Sequence, residues 1–240
     1  MNIGKQTDMI KTDNTNNTIL RLSNRLRGNK KVYFVRAGDG EFGIATNNHG
    51  SKFQDYSDEL SNELKESLLI EDENYLIALM AGYENEPGMQ QGFFAQTQHD
   101  NIKWSKWLLD NIGIKPRLFF NQAAHSFLAT QHPELIESFI NEFIVNKKKM
   151  FIGQVSCDKA EKLLGNSIDE IYENVIANVD DCEIVVSACG PSTNVIAKRL
   201  WNDGKHIHFL DIGSLIGLVD LDNATHGWQN YINKKGFKYE

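Results

Sequence analysis

Short runs of apolar and β-branched residues alternate along this chain with stretches in which apolar residues recur every three or four positions. The runs predict strands at Lys31–Arg36 (KVYFVR), Asn74–Met80 (NYLIALM), Arg117–Phe120, Lys149–Val155 (KMFIGQV), Glu183–Ala188 (EIVVSA) and His206–Leu210 (HIHFL). The stretches between them predict helices. Thr18–Arg27 carries Ile19, Leu22 and Leu26 on one stripe, and Asp58–Ile70 carries Leu60, Leu64, Leu68 and Leu69. Pro133–Asn146 carries Leu135, Ile136, Phe139, Ile140, Phe143 and Ile144, with Pro133 in the first turn, where a missing N–H does no harm. Further helices are expected at 97–110, 158–164 and 167–178, and one opens at Gly190-Pro191-Ser192-Thr193 and runs to Trp201. The polar segment 84–92, with Pro87 and Gly88, reads as a loop.

Strands that are apolar on both faces, separated by helices, imply a mainly parallel sheet covered on both sides. The expected architecture is therefore a three-layer α/β domain of Rossmann-like type. Residues 1–16 are rich in Asn, Thr, Asp and Lys and are expected to form a flexible tail, leaving 17–240 as a single domain. A chain of 240 residues buries enough surface to need no disulfide or metal staple.

The net charge of −7 and the absence of a Lys/Arg stripe argue against a nucleic-acid partner; Lys147-Lys148-Lys149 is the densest basic run. Cys157, Cys182 and Cys189 form no CxxC pair and read as reduced thiols. No apolar stretch is long enough to span a membrane and no leader pattern opens the chain, so a cytoplasmic protein is expected.

Three segments at the ends of predicted strands are candidates for chemistry. In the first, Arg36-Ala37-Gly38-Asp39-Gly40-Glu41-Phe42-Gly43, the glycines at 38, 40 and 43 spell GxGxxG after a strand. That fingerprint brings bare backbone up to a pyrophosphate, whereas Asp39 and Glu41 put two carboxylates in the loop, and these repel a diphosphate. A divalent cation reverses the sign. Two residues apart in an extended loop, Asp39 and Glu41 point the same way, and their hard oxygens suit Mg²⁺ or Mn²⁺ together with substrate phosphates. Arg36 is placed to neutralise the same phosphate. The competing reading is a solvated Asp-Gly turn.

The second segment, Ser187 to Asn194, runs from a buried strand through Gly190-Pro191-Ser192-Thr193 into a helix. Free N–H groups and two hydroxyls at that helix start make an anion site; equally, Ser or Thr there serves as an N-cap. Cys189 stands beside the helix start, but no His or acid in the sequence is tied to it as a nucleophile's partner. In the third, Asp211-Ile212-Gly213, Asp211 either contacts a ribose or acceptor hydroxyl or closes a turn on its own backbone. His125 and Asn121 follow the strand at 117–120 and are candidates to line the same site. His206 and His208 alternate in a strand and read as packing or surface residues, and Trp104 and Trp107 as core.

The segment Val35 to Phe42 resembles the Arg-x-Gly-Asp-Gly-Glu-Phe motif of the GT-D-fold glycosyltransferases. In that family Asp-x-Glu is the sugar-nucleotide and metal element, which maps here onto Asp39 and Glu41, with Arg36 as the motif arginine. Phe53-Gln54-Asp55-Tyr56, Gly190-Pro191-Ser192-Thr193 and Asp211-Ile212-Gly213 are similar to later elements of the family, in order, over about residues 18–215. After Asp-Ile-Gly the chain reads Ser214-Leu215-Ile216-Gly217 in place of a histidine and an acidic aromatic run, and no family arginine stands near His125. Both departures mark a divergent member.

The resemblance implies a metal-assisted glycosyltransferase (Mn²⁺ or Mg²⁺) that uses a nucleotide-sugar donor, with a UDP-sugar first in line. Its acceptor would be a glycan, glycolipid or glycoprotein hydroxyl. Gly38, Gly40, Gly190, Pro191, Ser192, Thr193 and Arg36 would contact nucleotide and phosphate, and Asp39 and Glu41 the metal or the reacting groups. The alternatives are a Rossmann-type S-adenosylmethionine- or nucleotide-dependent transferase and an inactive sugar-nucleotide-binding module. A homodimer is compatible with the sequence but has no interface pattern behind it.

Overall fold

The computed structural model describes residues 10–12, 15–37, 41, 44–45, 54–79, 117–121, 138–152 and 167–213. Seven strands among these residues make one sheet: β1 (Ile10–Thr12), β2 (Tyr33–Ala37), β3 (Tyr75–Leu79), β4 (Arg117–Asn121), β5 (Lys149–Ile152), β6 (Ile184–Ser187) and β7 (His208–Asp211). Their order is β1-β4-β3-β2-β7-β6-β5, and each neighbouring pair is parallel. The expected parallel α/β architecture is the observed one.

Among the described residues four α-helices connect these strands: α1 (Thr15–Leu26), α2 (Asp58–Leu69), α3 (Ile168–Asn178) and α4 (Ser192–Asn202). The steps β2 to β3, β5 to β6 and β6 to β7 all move the same way along the sheet. Right-handed crossovers therefore put α2, α3 and α4 on one face. There α4 packs against both α2 and α3. The step from β1 to β2 runs the opposite way and puts α1 on the other face. Arg27, just past α1, reaches Glu142 of the π-helical turn Asn141–Val145, so the segment before β5 shares that face.

Strand residues alternate between the two layers. Tyr33, Val35 and Ala37 join Leu60, Leu64, Leu68, Val195, Ile196 and Leu200 in one core. Phe34, Leu76, Val186 and Leu210 are buried outside it, on the side of Ile19, Leu22, Leu26, Phe139, Ile140, Phe143 and Ile144. The leucine stripes read from the sequence are thus the buried ones. Helix starts follow local chemistry: Ser57 Oγ accepts from Leu60 N–H and Ser167 Oγ from Glu170 N–H, both at 3.1 Å, with acids in each first turn.

Four expectations shift. Residues 10–12 are not tail but β1, an Ile-Lys-Thr strand on the free edge of β4, and α1 begins at Thr15 rather than Thr18. Backbone hydrogen bonding to a waiting edge outweighs a polar composition. Residues 141–145, expected as α-helix, form a π-turn. The strand expected at 206–210 begins and ends later and takes in Asp211. The strand at 149–155 is described to Ile152. The helices expected at 97–110 and 158–164 and the loop at 84–92 lie outside the described residues.

Candidate active site

Parallel strands bring their carboxyl ends to one edge, where ligands of such sheets bind. Ala37 of β2, Leu79 of β3 and Asn121 of β4 sit in register at that edge, so Asn121 lies two strands, about 10 Å, from Ala37. On the other side, Asp211 of β7 stands opposite Ser187 of β6.

The β2–β7 ladder pairs Tyr33 with Phe209 and Phe34 with Leu210 and goes no further. Beyond it a side chain takes over. Arg36 N–H donates to Asp211 Oδ2 at 3.2 Å, and Gly213 N–H donates to Asp211 Oδ1 at 3.1 Å. Arg36 Nε lies 3.0 Å from Asp211 Oδ1. That approach is an ion pair by distance without hydrogen-bond alignment, because Nε has no hydrogen-bond partner among the described residues. Asp211 is 3% exposed. Burial pushes its carboxyl above the ordinary range, while the Arg36 guanidinium and the amides of Arg36 and Gly213 pull against that rise. The turn reading of Asp211 is the one observed: its carboxylate closes a turn on the Gly213 backbone, and it also holds the motif arginine. Gly213 has φ +48°, which favours glycine, and a Cβ there would displace the Arg36 guanidinium from beside Asp211.

The helix start at 190–193 is turned inward. Cys189 N–H donates to Thr193 Oγ1 at 3.0 Å, and Thr193 Oγ1 shares a 2.8 Å hydrogen bond with Ser187 Oγ. Thr193 N–H donates to Gly190 C=O at 2.9 Å, and the Ser192 hydroxyl donates to Gln54 Oε1 at 2.9 Å. Both hydroxyls that the sequence offered to a phosphate are thus engaged within the protein. Neither is an N-cap: Pro191 holds that position without a side-chain bond. Gly190, at φ +58°, makes the turn from β6 into α4. Cys189 is buried, and that burial pushes its thiol up to about 11, so it is protonated at neutral pH and no nucleophile.

Asn194 is the residue that sequence reasoning passed over. Its Nδ2 donates to Arg36 C=O at 2.9 Å, so side chains from α4 and β7 hold the Arg36 peptide at both ends. Its Oδ1 is buried and has no hydrogen-bond partner among the described residues. An orphaned buried acceptor of this kind costs about 1–3 kcal/mol. The available signal was a polar residue one turn into a helix whose next three residues, Val195, Ile196 and Ala197, are apolar.

Four stretches far apart in sequence therefore meet at this edge: Arg36, Gln54, Ser187–Asn194 and Asp211–Gly213. Gly38, Asp39, Gly40 and His125 lie outside the described residues. Glu41 is half-buried and has helical backbone, as do the buried Ile44 and Ala45, so the extended geometry expected around it does not hold at Glu41 itself. Among the described residues no group of three or more His, Cys, Asp or Glu side chains is placed to hold a metal. His206 is exposed; His208 is half-buried, and its Nδ1 accepts Val32 N–H at 3.2 Å, far from this edge. No helix among the described residues is long and apolar enough to cross a membrane.

A parallel α/β sheet with helices on both faces and a polar cluster at its carboxyl edge defines a fold of the Rossmann-like class. More narrowly, residues 34–122 match the family model described as Glycosyltransferase GT-D fold. Among solved structures, one reported as domain of unknown function 1792 with a distinct glycosyltransferase fold superposes with TM-score 0.66 at 18% identity, over 98% of this chain and 93% of that one. A selenomethionine structure of the same domain gives 0.65 at 18%, over 92% and 85%. A new glycosyltransferase with this domain, from Streptococcus sanguinis, gives 0.60 at 17%, over 90% and 87%. No curated protein matches the chain in sequence. The protein has the GT-D glycosyltransferase fold, and the resemblance carried by the Arg36–Phe42 motif falls within the matched segment.

Proposed function

We propose that this protein is a glycosyltransferase that moves a glycosyl group from a nucleoside-diphosphate sugar to a hydroxyl acceptor, with a UDP-sugar as the first donor to test. The observation that carries the reading is the Arg36-Ala37-Gly38-Asp39-Gly40-Glu41 segment leaving the carboxyl end of central strand β2, inside the segment that matches the family model. The GT-D match supports the transfer chemistry; the acid pair supports the metal.

Asp39 and Glu41 would hold Mn²⁺ or Mg²⁺: two carboxylates are the hard donor set such ions take, with substrate phosphates completing the shell. When bound, the ion supplies Lewis-acid stabilisation to the leaving diphosphate. The chain's own contribution at this edge is rigidity. Asp211 and Asn194 fix the Arg36 peptide, so the acidic segment leaves β2 from a defined point. Backbone N–H groups at the start of α4 favour the donor's negative charge. The Arg36 guanidinium is oriented by Asp211 at the same edge.

Thermal unfolding with a panel of UDP-, GDP- and CMP-sugars, with and without Mn²⁺, tests this. At a hundred times its Kd a ligand adds about 2.7 kcal/mol, a shift of roughly 5–10 °C for a chain of this size. The expected result is stabilisation by one nucleotide class only with metal, and loss of it in Asp39→Asn with Glu41→Gln. Metal-independent stabilisation by S-adenosylmethionine or a dinucleotide would overturn the reading.

A further inference from the structure

The Arg36 carbonyl fixes which way the Asn194 amide faces. Nδ2 donates to that carbonyl at 2.9 Å, and turning the amide over would set oxygen against oxygen. Oδ1 is bonded to the same carbon as Nδ2, so it sits within a few ångströms of the point where the chain leaves β2 for the Gly38–Glu41 motif. Asn194 is fully buried. The side-chain acceptors beside it are used: Thr193 Oγ1 by Cys189 and Ser187, and the Asp211 oxygens by Arg36 and Gly213, while the Ser192 hydroxyl is spent on Gln54. Among the described residues here, Oδ1 is the acceptor left over.

An acceptor cannot bind a phosphate oxygen, which only accepts. On a nucleotide-sugar donor the abundant neutral hydrogen-bond donors are hydroxyls. We infer that Asn194 Oδ1 is a specificity element that accepts a hydrogen bond from a carbohydrate hydroxyl of the donor, on its ribose or on its transferred sugar. The inference rests on the glycosyltransferase reading above and adds to it the residue that tells a hydroxyl from its deoxy counterpart. A site built around a buried acceptor discriminates strongly against a ligand lacking the matching hydroxyl, because the acceptor is then left unpaired.

Titration calorimetry tests this with the wild-type protein and Asn194→Ala in the presence of Mn²⁺. UDP-glucose, UDP-galactose and GDP-mannose are the first probes. The tightest binder is then compared with each of its monodeoxy forms, in the ribose and in the hexose. The expected result is one deoxy form that binds wild type about tenfold more weakly than its parent and binds Asn194→Ala no more weakly than the parent does. Its identity says whether the hydroxyl belongs to ribose or hexose. Equal losses on wild type and variant for every deoxy form overturn the inference and leave the glycosyltransferase reading standing. So does a tenfold loss of affinity for Mn²⁺ alone in Asn194→Ala, which would make Oδ1 a metal ligand. No binding of any probe by wild type overturns both. If Asn194→Ala does not fold, the Asn194 side-chain carbonyl ¹³C shift in asparagine-labelled wild type decides instead. It should move with the parent ligand and not with one deoxy form, and a shift common to all forms overturns the inference.

Discussion

The two ends of the central strands are built on opposite principles. At the amino end, register places Tyr75, Tyr33 and Phe209 side by side across β3, β2 and β7. Their rings stack at 6.1 and 5.9 Å, and Trp201 of α4 meets both tyrosines edge-on at 5.2 and 5.4 Å. Both phenols are paired: Tyr33 O–H donates to Lys205 C=O at 2.9 Å, and Tyr75 shares a 2.7 Å hydrogen bond with Ser67. At the carboxyl end β2 and β7 carry an ion pair out of hydrogen-bond alignment, and α4 brings against them an amide oxygen without a partner among the described residues. One end is satisfied apolar packing with its polar tips tied off. The other holds unsatisfied polar atoms where a ligand of such a sheet binds. Stability resides at the first end and the proposed site at the second, and α4 contributes to both, through Trp201 and Asn194.

The comparison breaks most visibly at the aromatic row. Tyr33→Ala removes the middle ring of three and leaves a cavity beneath Trp201. It should destabilise the protein by about 4 kcal/mol, in the range for buried aromatic truncation. Urea unfolding measures this directly, and a loss under 1 kcal/mol would show that the row is not what holds the amino end.

Next comes the carboxyl end. Asp211→Asn keeps the shape of the side chain and removes its charge, leaving the Arg36 guanidinium buried without a counter-charge. Breaking a buried pair from one side costs about 3 kcal/mol. If the two ends differ as described, this variant also blunts stabilisation by a nucleotide sugar, because Arg36 and its peptide lose their anchor. Tyr33→Ala should lower the melting temperature yet keep the same ligand-induced shift. Equal ligand responses in the two variants would erase the distinction.

Much of the amino-end architecture was legible in the sequence. The stripes of Leu60, Leu64 and Leu68 and of Ile19, Leu22 and Leu26 are periodic, and periodicity is a local property. The strand that pairs Ile10–Thr12 with β4 was not legible, because an edge is a property of the assembled sheet. The carboxyl end was legible in part. Arg36, Asp211 and the Gly190–Thr193 turn stand at strand ends, and strand ends can be read from pattern. Their partners could not be read. That Thr193 turns back to Ser187 and Cys189 while Asn194 reaches Arg36 depends on the angle at which α4 meets the sheet, and no spacing in the sequence encodes that angle.

A smaller effect sharpens the comparison from the amino side, through pH. His208 Nδ1 accepts the Val32 N–H, so the imidazole must be neutral on that nitrogen. Burial, reinforced by Lys31 and Lys147, lowers its pKa to about 4 from an ordinary value near 6.5. The unfolded chain therefore takes up a proton between those values while the folded chain does not. By linkage, stability is fully present above about pH 6.5 and is lost as pH falls toward 4. His208 is only half-buried, so solvent screening reduces the loss to roughly 1–2 kcal/mol. His208→Asn keeps an acceptor near Nδ1 and cannot be protonated, so its unfolding free energy should vary less between pH 7 and pH 4 than the wild type's. Parallel curves would mean that His208 is hydrated enough to titrate alike in both states, and the amino end would then be less dry than its aromatic row implies.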